Sequence, residues 1–463
     1  MPTAAIIGSG PNGLSAAITL ALAGVSVVIR ERNSQIGGCC SSAEVTLPGF
    51  RHDLGSSVFP MGVASPFFQS LPIRIPWIEP PAPCAHPLED GTAVLLEHSL
   101  EDTVANLDAC DGRKYRSLLE PLVERFPELA GEILGPITRI PHHPFLLARF
   151  GLSAVLPAAS LARSRFEGVR AHALLAGMAA HSVLSLEASP SSAVALVLMA
   201  AGHASGWPLV QGGAQTLTDA LAGYLELNGG RIEPSYEVTQ LPVADVVLAG
   251  ITPRQLIQIA GPALPPAYRR VLERFQYGAG VFKVDYALSS PIPWTAKGCA
   301  RAATVHIGGR LEEIIASERH FQSETPFVLL TQPSLFDSAR APAGKHTAWA
   351  YCHVPNGSAV SRLEAIERQI ERFAPGFRDC VLARSVWPPA ALERWNPNLV
   401  GGDLSGGAMN FRQLLFRPAP SLYSSPVPGL FLCGASTPPG GGVHGMAGFH
   451  AAQAALRYLS DQR

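Results

Sequence analysis

At 463 residues the chain exceeds what one hydrophobic core usually serves, which predicts two domains with room for a third. Its 35 basic and 36 acidic residues nearly cancel, to a net charge of -1 with no long single-sign block, which argues against a nucleic-acid partner and against a polybasic membrane tether. With 47% apolar and only 15% charged residues, some apolar surface is expected to stay exposed, so the expected ligand is small and apolar and a peripheral membrane contact is compatible with the composition.

The chain starts on an apolar strand, Ala4 to Ile7, with no basic segment ahead of it, so no secretory signal is read there. A glycine turn, a helical segment from Gly13 to Ala23 and the β-branched strand Val25 to Ile29 follow, which is the βαβ opening of a doubly wound sheet. Prolines crowd the stretch from Pro72 to Pro87, and since proline is a poor guest inside helix or sheet, a domain crossing is expected there. From Leu100 to Ala204 apolar residues recur at three and four, with breaks expected at Pro136, Pro141, Pro144 and Pro157, which predicts helices roofing a pocket. Within them Ser192 to Ala201 is too short to cross a bilayer and reads as a buried helix.

Gln211-Gly212-Gly213 opens a further helical run, Leu217 to Leu227, closed by Gly229-Gly230 and followed by a short strand pair around Ile232 and Val238. Strand-like runs at Val281 to Leu288, Thr304 to Ile307, Phe327 to Thr331 and Thr347 to His353 predict a mixed sheet in a second domain. An amphipathic helix then places Leu363, Ile366, Ile370 and Phe373 on one face and Glu364, Glu367, Arg368 and Glu371 on a solvent face. The eight cysteines are scattered without any C-x-x-C, which gives zinc and thioredoxin-like chemistry no support and fits a reducing cytoplasm. The vicinal Cys39 and Cys40 are read as small packing residues rather than a redox pair. His142-His143 has neither a carboxylate partner nor helical ligand spacing, so no metal site is expected.

Gly8-Ser9-Gly10-Pro11-Asn12-Gly13 is a G-x-G-x-x-G that directly follows a strand and opens a helix, the context in which it binds a dinucleotide. Gly8 permits the tight turn, Gly10 lets the backbone approach a pyrophosphate, and Gly13 lets helix pack on strand. The helix N-terminus offers free N–H groups and partial positive charge to the phosphates. Glu31, followed by Arg32 at the end of the second strand, is suited to accept from ribose hydroxyls. FAD and NAD both use this fingerprint. Gly37-Gly38 and a glycine-rich segment near the other end of the chain, Cys433-Gly434-Ala435 to Gly442-Val443-His444-Gly445-Met446, point to the longer cofactor, because both ends of the chain would then border it.

These segments, together with Leu47-Pro48-Gly49-Phe50-Arg51-His52-Asp53-Leu54-Gly55-Ser56 and Gly280-Val281-Phe282-Lys283-Val284-Asp285-Tyr286, give the chain a resemblance over nearly its whole length to the phytoene-desaturase-related branch of the FAD-dependent amine oxidase superfamily. The resemblance implies a Rossmann-like FAD-binding domain of the glutathione-reductase and amine-oxidase type (1–75, 205–255 and 420–463) and a second α+β substrate domain with a mixed sheet and helical roof (76–204 and 256–419). It implies adenine and ribose near Glu31 and Val238, pyrophosphate near Gly10 to Gly13 and Gly434-Ala435, and isoalloxazine near Gly55, Ser56, Ser57 and Gly442 to Met446. Many relatives place an arginine after the glycine pair; here Cys39-Cys40-Ser41-Ser42 follows, so Ser41 and Ser42 are expected to serve the phosphates with backbone donors. No cysteine sits in the superfamily's pattern for a covalent flavin link, so FAD is expected to be non-covalent.

Two side chains are candidates for chemistry. Lys283 matches the strand position from which an amine-oxidase lysine holds a water at flavin N5, and otherwise forms a solvated pair with Asp285. His444 either exchanges a proton beside the flavin or bonds the backbone. The function expected is hydrogen removal, addition or shift at carbon–carbon bonds of an apolar, polyene- or enone-like molecule. Amine oxidation and a non-catalytic FAD-containing chaperone or assembly role are the alternatives.

Overall fold

The computed structural model describes residues 1–462. Two sheets organise it. The first has five strands, all parallel, in the spatial order Leu430–Leu432, Val246–Ala249, Thr3–Ile7, Ser26–Arg30 and Arg231–Glu233. A parallel sheet is covered on both faces, so its strands must be apolar on both sides. Accordingly Ala4, Ala5, Ile6 and Ile7 are all buried. The helices Pro11–Leu22 and Met446–Asp461 pack together over this sheet, so closely that a β-carbon at Gly448 would collide with the Asn12 carbonyl.

The second sheet has seven strands in the order Val381–Trp387, Gly280–Leu288, His346–Val354, Val328–Thr331, Ala302–Ile307, Ala82–Pro87 and Ala93–Leu96. Its pairs are antiparallel except Ala302–Ile307 with Ala82–Pro87, so it is the mixed sheet expected. Alternation along each strand gives the sheet two unlike faces. Phe282, Val284, Tyr286, Ala348, Ala350 and Leu330 form one apolar core with Ile366, Ile370 and Phe373 of the helix Leu363–Phe373. The opposite face carries Lys283, Asp285, Trp349, Tyr351, His353 and His306. Between Leu100 and Ala204 seven helices form the roof, and Val169–Ala180 and Ser191–Ala204 pack against each other within it. Among the described residues no single helix is long and apolar enough to cross a membrane.

Several expectations need correction. The proline-rich stretch is not only a crossing, because Ala82–Pro87 is an interior strand. Proline is tolerated there because pairing with Ala93–Leu96 begins at Cys84, so Pro83 has a strand neighbour on one side only. Pro144 and Pro157 start helices rather than break them, as proline's fixed φ suits the first turn. Val238 lies in a loop, since Arg231–Glu233 alone forms a strand in that region. Glu367 is not on a solvent face: it is buried and receives Arg384 Nε at 2.5 Å. That ion pair ties the helix to the edge strand Val381–Trp387, a contact that local periodicity does not reveal.

Candidate cofactor cleft

The carboxyl ends of four adjacent parallel strands open on one cleft of about 670 Å³, lined by Gly8, Glu31, Gly250 and Gly434 just beyond the strand ends. Ligands of open α/β sheets bind at this edge, and the volume suits a cofactor (~300–1,000 Å³). Gly8 has φ +93°, a left-handed conformation that glycine adopts without strain, and its N–H donates to the Arg30 carbonyl at 2.9 Å. The chain then turns into the helix Pro11–Leu22, whose N-terminus no side chain caps. Its first-turn N–H groups therefore face the cleft as an anion site. A β-carbon at Gly13 would collide with the Gly8 carbonyl oxygen and touch Ile6, so only glycine lets this helix start so near the strand. Asn12 lines the cleft, and its buried Oδ1 has no hydrogen-bond partner.

Glu31 is buried at the cleft wall, and three donors hold its carboxylate: Ser9 N–H (2.9 Å) and Ser9 Oγ–H (2.8 Å) on Oε2, and Asn33 N–H (2.9 Å) on Oε1. A carboxylate accepts in about four directions, so one remains for a ligand hydroxyl. Arg32 lines the cleft and donates to the Arg394 carbonyl at 2.9 Å. Pro11, Gly10, Gly38, Ser56, Val238, Ala435, Gly442 and Val443 also reach the wall. The fingerprint and the second glycine segment, more than 400 residues apart in sequence, thus border one space.

Other expected contacts are turned away. Ser41 Oγ donates to the Gly38 carbonyl (2.8 Å) and Ser42 Oγ to Asp53 Oδ1 (2.6 Å), so neither hydroxyl serves the cleft. Cys39 and Cys40 line it instead; burial pushes their thiols up to about 11 and about 12, which keeps both protonated. Gly37 and Gly55 act from behind the wall, Gly55 packing against the Cys39 carbonyl where a β-carbon would clash. Ser57 donates to Asp53 Oδ2 (2.6 Å) and accepts from Trp349 Nε1 (2.7 Å), tying the Asp53 segment to the seven-stranded sheet. Met446 begins its helix buried behind the wall. His444 is also buried there, with Nδ1 accepting from Met446 N–H at 3.1 Å and Nε2 unpartnered. Burial pulls its imidazole down to about 4, so the ring is neutral near pH 7.

Lys283 does not line the cleft. Its Nζ lies 2.5 Å from Asp285 Oδ1 and 5.3 Å from the centre of the Trp349 ring, and both members of the pair are buried, so the expected solvated pair is corrected to a buried one. Burial raises the Asp285 carboxyl above its ordinary range, against the pull of Lys283. His52 Nδ1 stands 3.7 Å from Asp285, and burial with the Lys283 charge lowers that ring to about 3. Beside it Asp53 pairs with Arg340 at 2.9 Å, and Arg340 Nε with Asp337 at 2.8 Å, all fully or nearly fully buried. Burial raises the Asp53 carboxyl, but Arg340 and the hydroxyl donors outweigh it and hold it below its ordinary value.

One wall has no sequence signal at all. The loop Asn396-Pro397-Asn398 comes from the second domain and closes over the cleft, with Asn398 Nδ2 donating to the Gly250 carbonyl (3.1 Å) and Asn396 Nδ2 to Cys39 Sγ (3.3 Å). Among the described residues no cluster of His, Cys, Asp and Glu side chains is placed to hold a metal ion.

Residues 6–71 match the family model described as an NAD(P)-binding Rossmann-like domain. Over 99% of its length the chain is 27% identical to the mouse pyridine nucleotide-disulfide oxidoreductase domain-containing protein 2, covering 94% of that protein. It is 23% identical, over 97% of its length and 92% of the relative's, to the neurosporene-forming phytoene desaturase of Rhodobacter capsulatus. The fold is shared with wild-type putrescine oxidase at a TM-score of 0.62 and 16% identity, with 99% of each chain covered. A Rossmann-type nucleotide cleft, a second mixed-sheet domain and these relatives define an oxidoreductase with a flavin or nucleotide cofactor. Within that class the sequence is similar to that of a phytoene desaturase and the fold to that of putrescine oxidase.

Proposed function

We propose that the cleft holds FAD non-covalently and that the protein moves hydrogen at carbon–carbon bonds of an apolar substrate. The observation that carries this reading is the single cleft running from Glu31, past the helix N-terminus at Gly10 to Gly13, to Gly442 and Val443. The residues present fit the group. The uncapped helix N-terminus suits a pyrophosphate, the remaining acceptor direction of Glu31 suits a ribose hydroxyl, and the orphaned Asn12 Oδ1 awaits a donor. When bound, the flavin supplies the hydride exchange.

The chain's own residues bind, orient and exclude water. The loop 396–398 covers the cleft, and the Trp349 and Tyr351 rings, stacked with centroids 5.7 Å apart, offer an apolar face on the second sheet. His444, neutral and with Nδ1 already accepting, carries its ring proton on the unpartnered Nε2 and is able to donate one hydrogen bond there without carrying charge. The phytoene desaturase among the relatives supports desaturation, saturation or isomerisation over amine oxidation.

The purified protein is expected to be yellow and to release its flavin on denaturation. Anaerobic addition of a polyene that the protein desaturates is expected to bleach it, and a polyene or enone that the protein saturates is expected to restore the colour of flavin reduced beforehand with dithionite. Bleaching by amines alone would replace the reading with amine oxidation, and a flavin that no substrate class bleaches or restores would favour a structural cofactor in an assembly protein.

A further inference from the structure

Arg340 and Arg417 are both fully buried, and they are held in opposite ways. Arg340 sits directly on two carboxylates, Asp53 and Asp337. Arg417, at the end of the helix Phe411–Phe416, meets only neutral acceptors. Its Nη2 donates to the Gly406 carbonyl at 2.9 Å and the Ser405 carbonyl at 3.3 Å, Nη1 lies 3.3 Å from Met409 Sδ, and Nε has no partner. The Asp403 carboxylate attracts the guanidinium without pairing with it directly, and accepts instead from the N–H groups of Gly278 (2.8 Å) and Ser405 (2.7 Å). Burial pulls the Arg417 side chain down to about 10, which leaves it cationic near pH 7.

The slot that holds this cation backs on the cofactor cleft. A β-carbon at Gly440 would stand 2.9 Å from Nη1 and one at Gly407 3.0 Å from Nη2, so two glycines make room for the guanidinium. Gly406, whose carbonyl is held by both Arg417 and Ser436 Oγ (2.8 Å), lines the cleft, as does Gly442 two residues beyond Gly440. A single peptide group therefore separates a buried positive charge from the end of the cleft opposite Glu31. A buried cation without a carboxylate on it is costly, and in a low-dielectric wall its field acts with little screening on whatever the cleft holds.

We infer that Arg417 is a positioning residue for electron uptake: its charge favours the negative charge that the flavin ring gains on reduction, and so makes the bound flavin easier to reduce. The inference rests on the FAD reading of the cleft and goes beyond it. A hydride leaving a substrate carbon carries two electrons and one proton into the ring, which becomes a monoanion, while the second hydrogen leaves the substrate as a proton to solvent. A fixed cation behind the wall favours that monoanion over the neutral oxidised ring.

Two equilibrium measurements on the holoprotein at pH 8 test this without turnover: the flavin midpoint potential, by anaerobic equilibration with a reference dye, and the dissociation constant of sulfite, whose addition leaves the ring negatively charged. Arg417→Met keeps much of the side chain's length and is expected to shift the two-electron equilibrium against reduction at least about tenfold, about 30 mV, and to weaken sulfite binding by a similar factor. Arg417→Lys keeps the charge but not the fork on Gly406, and is expected to stay within about threefold of the wild type. Asp403→Asn removes a negative charge from the same neighbourhood and is expected to move both readings the opposite way. An unmoved potential in folded, yellow Arg417→Met, or methionine and lysine variants shifted alike, would overturn the inference, since Arg417 would then only hold the loop 405–409 in place. If Arg417→Met does not fold, Asp403→Asn decides, and a potential that fails to rise overturns the inference alone. Wild-type protein that binds no flavin would overturn it together with the FAD reading.

Discussion

The two sheets solve different problems with different parts of the polypeptide. Around the first sheet the backbone does the binding: turns at Gly8 and Gly13, an uncapped helix and the glycines at 434 and 442 shape a cleft in which few side chains carry charge. On the second sheet side chains dominate, and one face buries Lys283, Asp285, His306 and His353 where a solvated or apolar face would be ordinary. Backbone sites are specified by what is missing, a β-carbon or a cap, and tolerate no additions. Buried ionic sites are specified by pairing and tolerate no single removal.

Arg340→Met attacks the pairing directly. It leaves Asp53 and Asp337 buried without their shared cation, so a loss of about 3–5 kcal/mol is expected in urea unfolding. An unchanged midpoint would mean the buried network adds nothing. Gly13→Ala attacks the opposite kind of site by adding one atom against the Gly8 carbonyl. It should cost about 1–3 kcal/mol and, unlike Arg340→Met refolded at low temperature, leave the folded protein short of cofactor, read as flavin absorbance per chain.

Lys283→Met sharpens the contrast through pH. Asp285, already raised by burial, loses its only nearby lysine and should be held neutral in the folded state. A carboxyl whose folded pKa is raised stabilises below its unfolded pKa and loses that contribution as pH rises through the folded value. The variant should therefore be nearly as stable as the wild type in acid and about 1.5 kcal/mol weaker at neutral pH, with Asp285→Asn added to it restoring the difference. A pH-independent loss would sink this account. The smallest effect is expected at His444. Its ring, lowered from 6.5 to about 4 by burial, should show no NMR titration between pH 8 and 5 in the apoprotein. The stability drawn from that neutral ring is present above pH 6.5 and is lost as pH falls toward 4. A midpoint near 6.5 would show that the ring is solvated.

How much was legible in the sequence follows the same division. Gly8, Gly10, Gly13 and Glu31 are readable because their tasks depend on neighbours a few residues away and on one strand end. Ser41 and Ser42 are not, because their direction is set by the Gly38 carbonyl and by Asp53, and Asp53 in turn is fixed by Arg340, nearly 300 residues on. Alternation placed Lys283 and Asp285 on one face, but whether water or the other domain covers that face is decided by His52 and Trp349 from elsewhere in the chain. The loop 396–398 carries no periodicity and no motif; only the fold brings it to Gly250. Glu367 was hidden likewise, since a charged residue on a helix signals solvent unless its partner strand is known.

The order of strands in the first sheet has a consequence for biosynthesis. Thr3–Ile7 is made first, yet it pairs with Val246–Ala249, and that strand waits in turn for Leu430–Leu432. At roughly 5–20 residues per second the ribosome supplies the neighbour Ser26–Arg30 almost at once but leaves the fingerprint strand without the other one for many seconds. The second sheet, drawn wholly from residues 82 to 387, has all its strands before the last strand of the first is translated. The cofactor cleft is therefore a late product of synthesis, completed only when the glycine-rich segment at 434–443 has left the tunnel, and a chain stalled before that point would emerge with a substrate sheet and no place for its cofactor.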